Sequence, residues 1–156
     1  MRVSKQEILL GLLTSTLVIL FVFLFQAKIQ HKMRDFEVYW RAGARAFAAE
    51  SLYRPEDGHY QFKYLPAFAL AVSPLSTLSL PVAKTLWYTL LVGLLFLILF
   101  CNWRLLPLHH QPDQPAWILL LLTSTVMAKF YGNELVLGQS NLLMLSLVSR
   151  PPCFGP

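Results

Sequence analysis

Hydrophobic positions along this chain fall into long unbroken runs, and those runs predict its elements. Residues 8–25 hold no charge, no proline and one glycine. As a helix rising about 1.5 Å per residue they reach roughly 27 Å, close to the hydrocarbon thickness of a bilayer. Residues 82–101 form a second run, broken only by Lys84 near its start, where a lysine is expected to snorkel to the interface. A third run, 117–128, is extendable from Pro115 to Tyr131, and a fourth starts at Asn141 but meets Arg150 nine residues later. The pattern predicts an all-α integral membrane protein, with full spans at about 7–26, 82–101 and 115–131 and an incomplete one from Asn141.

The only long polar stretch, 28–64, lies between the first two runs, and its first part is patterned. Phe36, Trp40, Gly43 and Phe47 recur at i, i+4, i+7 and i+11, one stripe of a helix. Glu37, Arg41 and Arg45 fall on another face, with Glu37 and Arg41 in the favourable i,i+4 order. This predicts an interfacial helix over 36–49. Its aromatic stripe should face lipid or the next apolar segment, and Arg41 and Arg45 should face water or headgroups. The helix should stop near Glu50 and Ser51, and Tyr53-Arg54-Pro55-Glu56-Asp57-Gly58 reads as a turn.

Residues 65–80 are apolar, but Pro66, Pro74 and Pro81 punctuate them and Ser73, Ser76, Thr77 and Ser79 dilute them. An apolar stretch short of a full span is expected to be re-entrant or interfacial. The rival is a full span with a tight turn at 79–81. The choice inverts every later loop. In the re-entrant version 102–115 shares a side with the N-terminus, and 129–140 shares a side with the long loop.

Composition supports insertion. Hydrophobic residues make up 56% and charged residues 13%, against about 25% charged in soluble domains. The mean hydropathy is +0.52. Arg2 and Lys5 precede the first run as in a signal peptide, but its apolar stretch is longer than the usual core of about 7–15 residues. Gln26-Ala27-Lys28 follows instead of a small-x-small site, so a retained anchor is expected. Cys101 and Cys153 offer neither metal spacing nor a disulfide framework. Lys28, Lys32, Arg34, Arg41 and Arg45 after the first run outnumber Arg2 and Lys5 before it, which by the positive-inside rule places the long loop in the cytoplasm. The last residues, 151–156, read as an irregular tail, and the abrupt break in the fourth run suggests a truncated or frame-shifted product.

No phosphate-binding glycine loop, G-x-S-x-G or His-Glu-x-x-His motif is present, and the adjacent His109 and His110 diverge in most backbone conformations. No metal or cofactor is expected. Polar residues crowd instead just outside the spans, in Asp35-Phe36-Glu37-Val38-Tyr39, in Phe62-Lys63-Tyr64-Leu65-Pro66 and in Asn133 to Asn141. Each has a plain structural reading: Asp35 as helix N-cap, Lys63 as a snorkelling cation, Gly138 as a helix stop with Asn141 capping the next helix. The chemical reading uses the same groups. A carboxylate partly desolvated beside an apolar segment is a better proton acceptor. Nearby Lys and Arg can hold a phosphate, and Asn or Gln amides can orient sugar hydroxyls.

Asp35-x-x-x-Tyr39 after the first span, then Leu52-Tyr53, Tyr64-x-Pro66, Pro74-Leu75, Trp87 and Gly138-Gln139-x-Asn141 before a further span, resembles glycosyltransferase family 87. Its members are polyprenol-phosphate-mannose-dependent mannosyltransferases of the GT-C fold, and the resemblance covers about residues 5–148, the N-terminal part of a member. It implies residues 1–150 as part of a multi-span GT-C-type helical bundle in the plasma (inner) membrane, with the N-terminus cytoplasmic and the first loop outside, against the basic flank. It implies Asp35 as catalytic base, with Tyr39, Lys63, Tyr64, Gln139 and Asn141 as substrate-binding residues. The implied partners are the lipid bilayer, a polyprenyl-phosphate-sugar donor and a glycolipid or glycan acceptor, with no nucleic acid. Missing C-terminal spans would supply much of the donor pocket. The alternative is a non-enzymatic membrane protein, a transporter fragment or assembly factor. A transporter would place ionisable groups inside its spans, and here they collect at one rim.

Overall fold

The computed structural model describes residues 16, 19–20, 22–23, 25–105 and 116–148, and every regular element among them is helical. The expected first span falls mostly outside the described residues, as do His109, His110, Cys153 and the tail. Where the description becomes continuous, Phe25–Ile29 forms a π-helical turn closed by the Gln30 N–H on the Phe25 carbonyl at 3.1 Å. Phe25 is fully buried and stacks on Tyr88 with ring centroids 4.4 Å apart.

The helix expected at the interface, α1, spans Arg34–Phe47. Phe36 is buried against Trp87 and Gly43 is buried, while Phe47 at the end of the stripe is exposed. The cap residue is Met33, not Asp35, which lies one residue inside the helix. At the other end, the Ala49 N–H donates to the Ala46 carbonyl and the Glu50 N–H to the Arg45 carbonyl. That is a Schellman closure, and it places Ala49 at φ +54°.

Residues 65–80 fold as α2, Pro66–Ser76, with Pro66 in its first turn. Its eleven residues reach roughly 16 Å, about half a bilayer's hydrocarbon core, so the full-span alternative fails on length. Pro74 has no N–H to give the Leu70 carbonyl, and the Ser73 hydroxyl donates to that oxygen at 2.7 Å instead. A Cβ on Gly43 would lie 3.1 Å from the Ser73 Cα, so glycine lets α1 and α2 touch backbone to backbone. Trp40 follows one turn earlier, its indole N–H on the Leu75 carbonyl at 3.1 Å, at the end of α2 where carbonyls lack helical donors. Of the stripe, Trp40 and Gly43 therefore meet the apolar segment, one of its two expected neighbours, whereas Phe36 turns to α3 and Phe47 is exposed.

A short connection leads into α3, Leu80–Leu105, of which Leu80–Asn102 is long and apolar enough to cross a membrane, the one such helix among the described residues. Lys84 does not snorkel. It is 5% exposed, and its ammonium donates to Glu37 Oε1 at 2.7 Å and to the Gln30 carbonyl at 2.8 Å. Glu37 is thus taken by Lys84 rather than by Arg41, whose Nε–H reaches only the Glu37 carbonyl at 3.4 Å. Arg45 also departs from expectation. It turns back to a bidentate pair with Asp57 in the turn around Gly58, and both side chains are mostly buried. The hydrogen bond from Arg45 holds the Asp57 carboxyl below its ordinary range, and the same bond raises Arg45.

The third run forms α4, Ala116–Leu137, which continues six residues past Tyr131. Lys129, Asn133 and Glu134 dilute its second half, and the notion of 129–140 as a loop gives way to helix as far as Leu137. Gly138, at φ +70°, then stops it, with the Gln139 N–H on the Glu134 carbonyl at 3.0 Å. The last element, α5, spans Asn141–Val148.

Candidate active site

The π-turn leads into α1 so that Asp35 and Tyr39, one turn apart, face the strand-like stretch 61–64. Along that stretch Phe62 is buried while Gln61 and Lys63 point the other way, the alternation of extended backbone. Together they line a cleft of about 230 Å³ whose walls are Asp35, Val38, Tyr39, His59, Tyr60, Gln61, Lys63 and Tyr64. Four of the six residues expected at the site therefore share one cavity.

Aromatic packing fixes the cleft floor. Tyr39 meets Tyr64 and Phe68 edge to face, with centroids 5.2 and 5.1 Å away. The Tyr39 and Tyr64 hydroxyls are 2.9 Å apart, and the Tyr53 hydroxyl donates to the Tyr64 carbonyl at 2.8 Å. Burial, and then the Tyr64 hydrogen bond, push the Tyr39 phenol far above its ordinary range. Tyr39 thus remains a neutral hydroxyl at any physiological pH. It can donate or accept a hydrogen bond but cannot serve as a phenolate base.

Gln139 and Asn141 arrive from the far end of the chain. Trp87 donates its indole N–H to the Gly138 carbonyl at 2.9 Å and pins the turn between α4 and α5 against α3. Gln139 Nε2 then donates to Asp35 Oδ2 at 3.0 Å across 104 residues of sequence. Asn141 Nδ2 donates to Glu134 Oε1 at 2.6 Å and to Gln139 Oε1 at 3.3 Å. Asn141 does not cap α5. The Ser140 carbonyl occupies that place, accepting the Met144 N–H at 2.9 Å. The two amides thus spend their donors on protein carboxylates and on each other. Asp35 is likewise tied to Gln139 instead of capping α1.

Ser140 is fully buried beside Tyr39, and its hydroxyl lacks a partner at hydrogen-bonding geometry among the described residues. On the outer side of Tyr60 lies a second depression, lined by His31, Arg34, Glu37, Arg41 and Tyr60. Arg34 Nη1 donates to the Tyr60 hydroxyl at 2.6 Å. The positions that sequence reasoning missed are Val38, His59, Tyr60, Gln61, Glu134 and Ser140. Gln61 was within reach, since alternation about the apolar Phe62 sends it to the same side as Lys63.

The residues that meet here from Tyr64 onward, Trp87 and Gly138-Gln139-x-Asn141 among them, lie within a longer likeness: glycosyltransferase family 87 matches residues 62–150. The chain belongs to glycosyltransferase family 87. The match is narrower than the expected 5–148, and Asp35, Tyr39 and Leu52-Tyr53 precede it. The fold joins the two parts, because Gln139 inside the matched stretch holds Asp35 outside it. No curated relative and no solved structure matches the chain.

Proposed function

We propose that this member of glycosyltransferase family 87 transfers a hexose, mannose in the first instance, from a polyprenyl-phosphate donor to a hydroxyl of a glycolipid or glycan. Asp35 is the general base. Its Oδ2 is steadied by Gln139 while the carboxylate lines the cleft, an arrangement suited to meeting an acceptor hydroxyl. In the reaction Asp35 takes the hydroxyl proton, and the freed oxygen forms a bond to the anomeric carbon from the face opposite the phosphate. The bond from that carbon to the phosphate oxygen breaks, its electron pair leaves with the polyprenyl phosphate, and the anomeric centre inverts.

Tyr39 and Tyr64 supply hydroxyls to the sugar, and Lys63 reaches the phosphate. Arg34 and Arg41 across Tyr60 extend that positive rim. The exposed apolar side chains of α3 and α4 fit a lipid surround. In this reading the chain is part of a multi-span GT-C-type bundle in the plasma membrane, with the N-terminus cytoplasmic and α1 on the outer face. Further spans of the whole protein complete the donor pocket.

The observation that carries the proposal is the docking of Asp35 on Gln139 at the cleft. Asp35→Asn keeps an oxygen to accept from Gln139, so the variant should express and fold normally. In full-length protein reconstituted with polyprenyl-phosphate-mannose and a glycolipid acceptor, its turnover should fall about 10²–10⁴-fold, the usual worth of a positioned base. Undiminished sugar transfer by Asp35→Asn would remove the base from this mechanism.

A further inference from the structure

Gln139 can steady a carboxylate only with its amide the right way round. Nε2 on Asp35 Oδ2 is a hydrogen bond; rotated by half a turn, Oε1 would face the carboxylate oxygen and repel it. Asn141 selects the orientation, because its Nδ2 donates to Gln139 Oε1. An amide nitrogen has two protons, and the other one goes to Glu134 Oε1 at 2.6 Å, the shortest link in the chain. Glu134 Oε1 accepts from Asn141 and so fixes it, Asn141 fixes Gln139, and Gln139 presents a donor to Asp35. Glu134 also holds Gln139 by its backbone, through the 3.0 Å bond that closes α4.

We infer that Glu134 is a positioning residue for the Asp35 carboxylate, acting through Asn141 and Gln139. This rests on the reading of Asp35 as the base. Two features separate Glu134 from an ordinary helix-end residue. An acidic side chain in the last turn of α4 stands at the negative end of the helix dipole, where it is disfavoured. Its second oxygen, Oε2, is buried without a hydrogen-bond partner among the described residues. Stability of the helix end alone would favour a basic or neutral side chain there.

Asp35→Asn, Glu134→Ala and Glu134→Gln are compared in the same reconstituted full-length protein, each normalised to folded protein by gel filtration. Glu134→Ala should lower kcat on the order of 10- to 100-fold through misplacement of the base, and leave the acceptor KM within about 2-fold. Glu134→Gln keeps an acceptor oxygen for Asn141 and should recover most of the turnover. Wild-type kcat in Glu134→Ala, with Asp35→Asn inactive, overturns the positioning role, and so does an equal loss in the Ala and Gln variants. Activity persisting in Asp35→Asn overturns the base instead, so the two failures are distinguishable. Should Glu134→Ala fail to fold, Asn141→Ala cuts the same chain one link on at an exposed position. It should show the same loss in kcat alone. A rise in KM there would make Asn141 a substrate contact and overturn the inference.

Discussion

Around α1, side chains from distant parts of the sequence meet within hydrogen-bonding distance, whereas the apolar stretch of α4 presents side chains that touch little of the protein. Met33 and Phe36 are fully buried, while on α4 Leu121, Leu122, Val126 and Phe130 are each at least 57% exposed. The first region is specified pair by pair; the second needs only to be apolar. Substitutions should therefore divide sharply between them. The largest expected effect comes from Glu37. Replacing it with Leu leaves the Lys84 ammonium buried beside the Gln30 carbonyl with its ion-pair partner gone, at a cost of about 3 kcal/mol. Lys84→Met removes the buried charge itself and leaves a Glu37 carboxylate open enough to hydrate, which should cost only about 1 kcal/mol. Leu122→Ile on the exposed face of α4 should stay within about 0.5 kcal/mol. Thermal unfolding in detergent, followed by tryptophan fluorescence, to which the buried Trp87 contributes, measures all three. Equal losses for Glu37→Leu and Lys84→Met would show that desolvation of the ammonium does not govern this pair.

Gly138 should show the next largest effect, and it lies in the same specified region. Its φ of +70° disfavours any side chain, and a Cβ there would approach Phe36 Cβ and Met33 Cε to 2.9 Å. The methionine end can swing away, but Phe36 Cβ moves only with the backbone of α1. Gly138→Ala should therefore cost about 2–3 kcal/mol, from left-handed strain plus overpacking. Gln139 follows directly in sequence, so under the proposed function the full-length variant should also lose sugar transfer, because Asp35 loses its hydrogen bond from Gln139. An unchanged unfolding temperature would mean that the turn between α4 and α5 can reseat on α3 without its glycine.

Periodicity made part of this legible in advance. The stripe in α1 was clear because its apolar positions are one-sided, and the cap-to-cap extent followed to within two residues. On α3 and α4, which are apolar nearly all round, spacing could not say which face would be buried. Charges were misjudged where their partners lie far along the chain. A sequence displays the i,i+4 option of Glu37 and Arg41, but Lys84 is 47 residues away and wins because it is buried. The polar letters Asn133 and Glu134 looked like a loop, although nothing before Gly138 stops a helix. At the site, Asp35, Lys63, Gln139 and Asn141 stand out as polar groups beside the apolar runs, and Tyr39 and Tyr64 come through the resemblance to the family. Glu134 does not, since its importance arises only when the turn at Gly138 folds Asn141 back onto it.

A small gain in stability is expected at the one place where the specified region is not well made. Helices α1 and α4 end in the same way, each with a left-handed residue followed by an N–H that reaches back to a carbonyl one turn earlier. At α4 that residue is Gly138, enclosed by Met33 and Phe36; at α1 it is Ala49, exposed, with φ +54°. An alanine in this conformation brings its Cβ close to its neighbouring carbonyl, a strain of about 1–2 kcal/mol that glycine does not carry. Ala49→Gly should therefore stabilise the protein by about 0.5–1 kcal/mol, after the added entropy of glycine in the unfolded chain is subtracted. Ala49 lies outside the cleft, so sugar transfer by the full-length variant should be unchanged. The substitution thus reverses the sign expected for Gly138→Ala at the same backbone geometry. A destabilised Ala49→Gly would show that α1 ends differently in solution, and that the likeness between the two helix ends is confined to their hydrogen bonds.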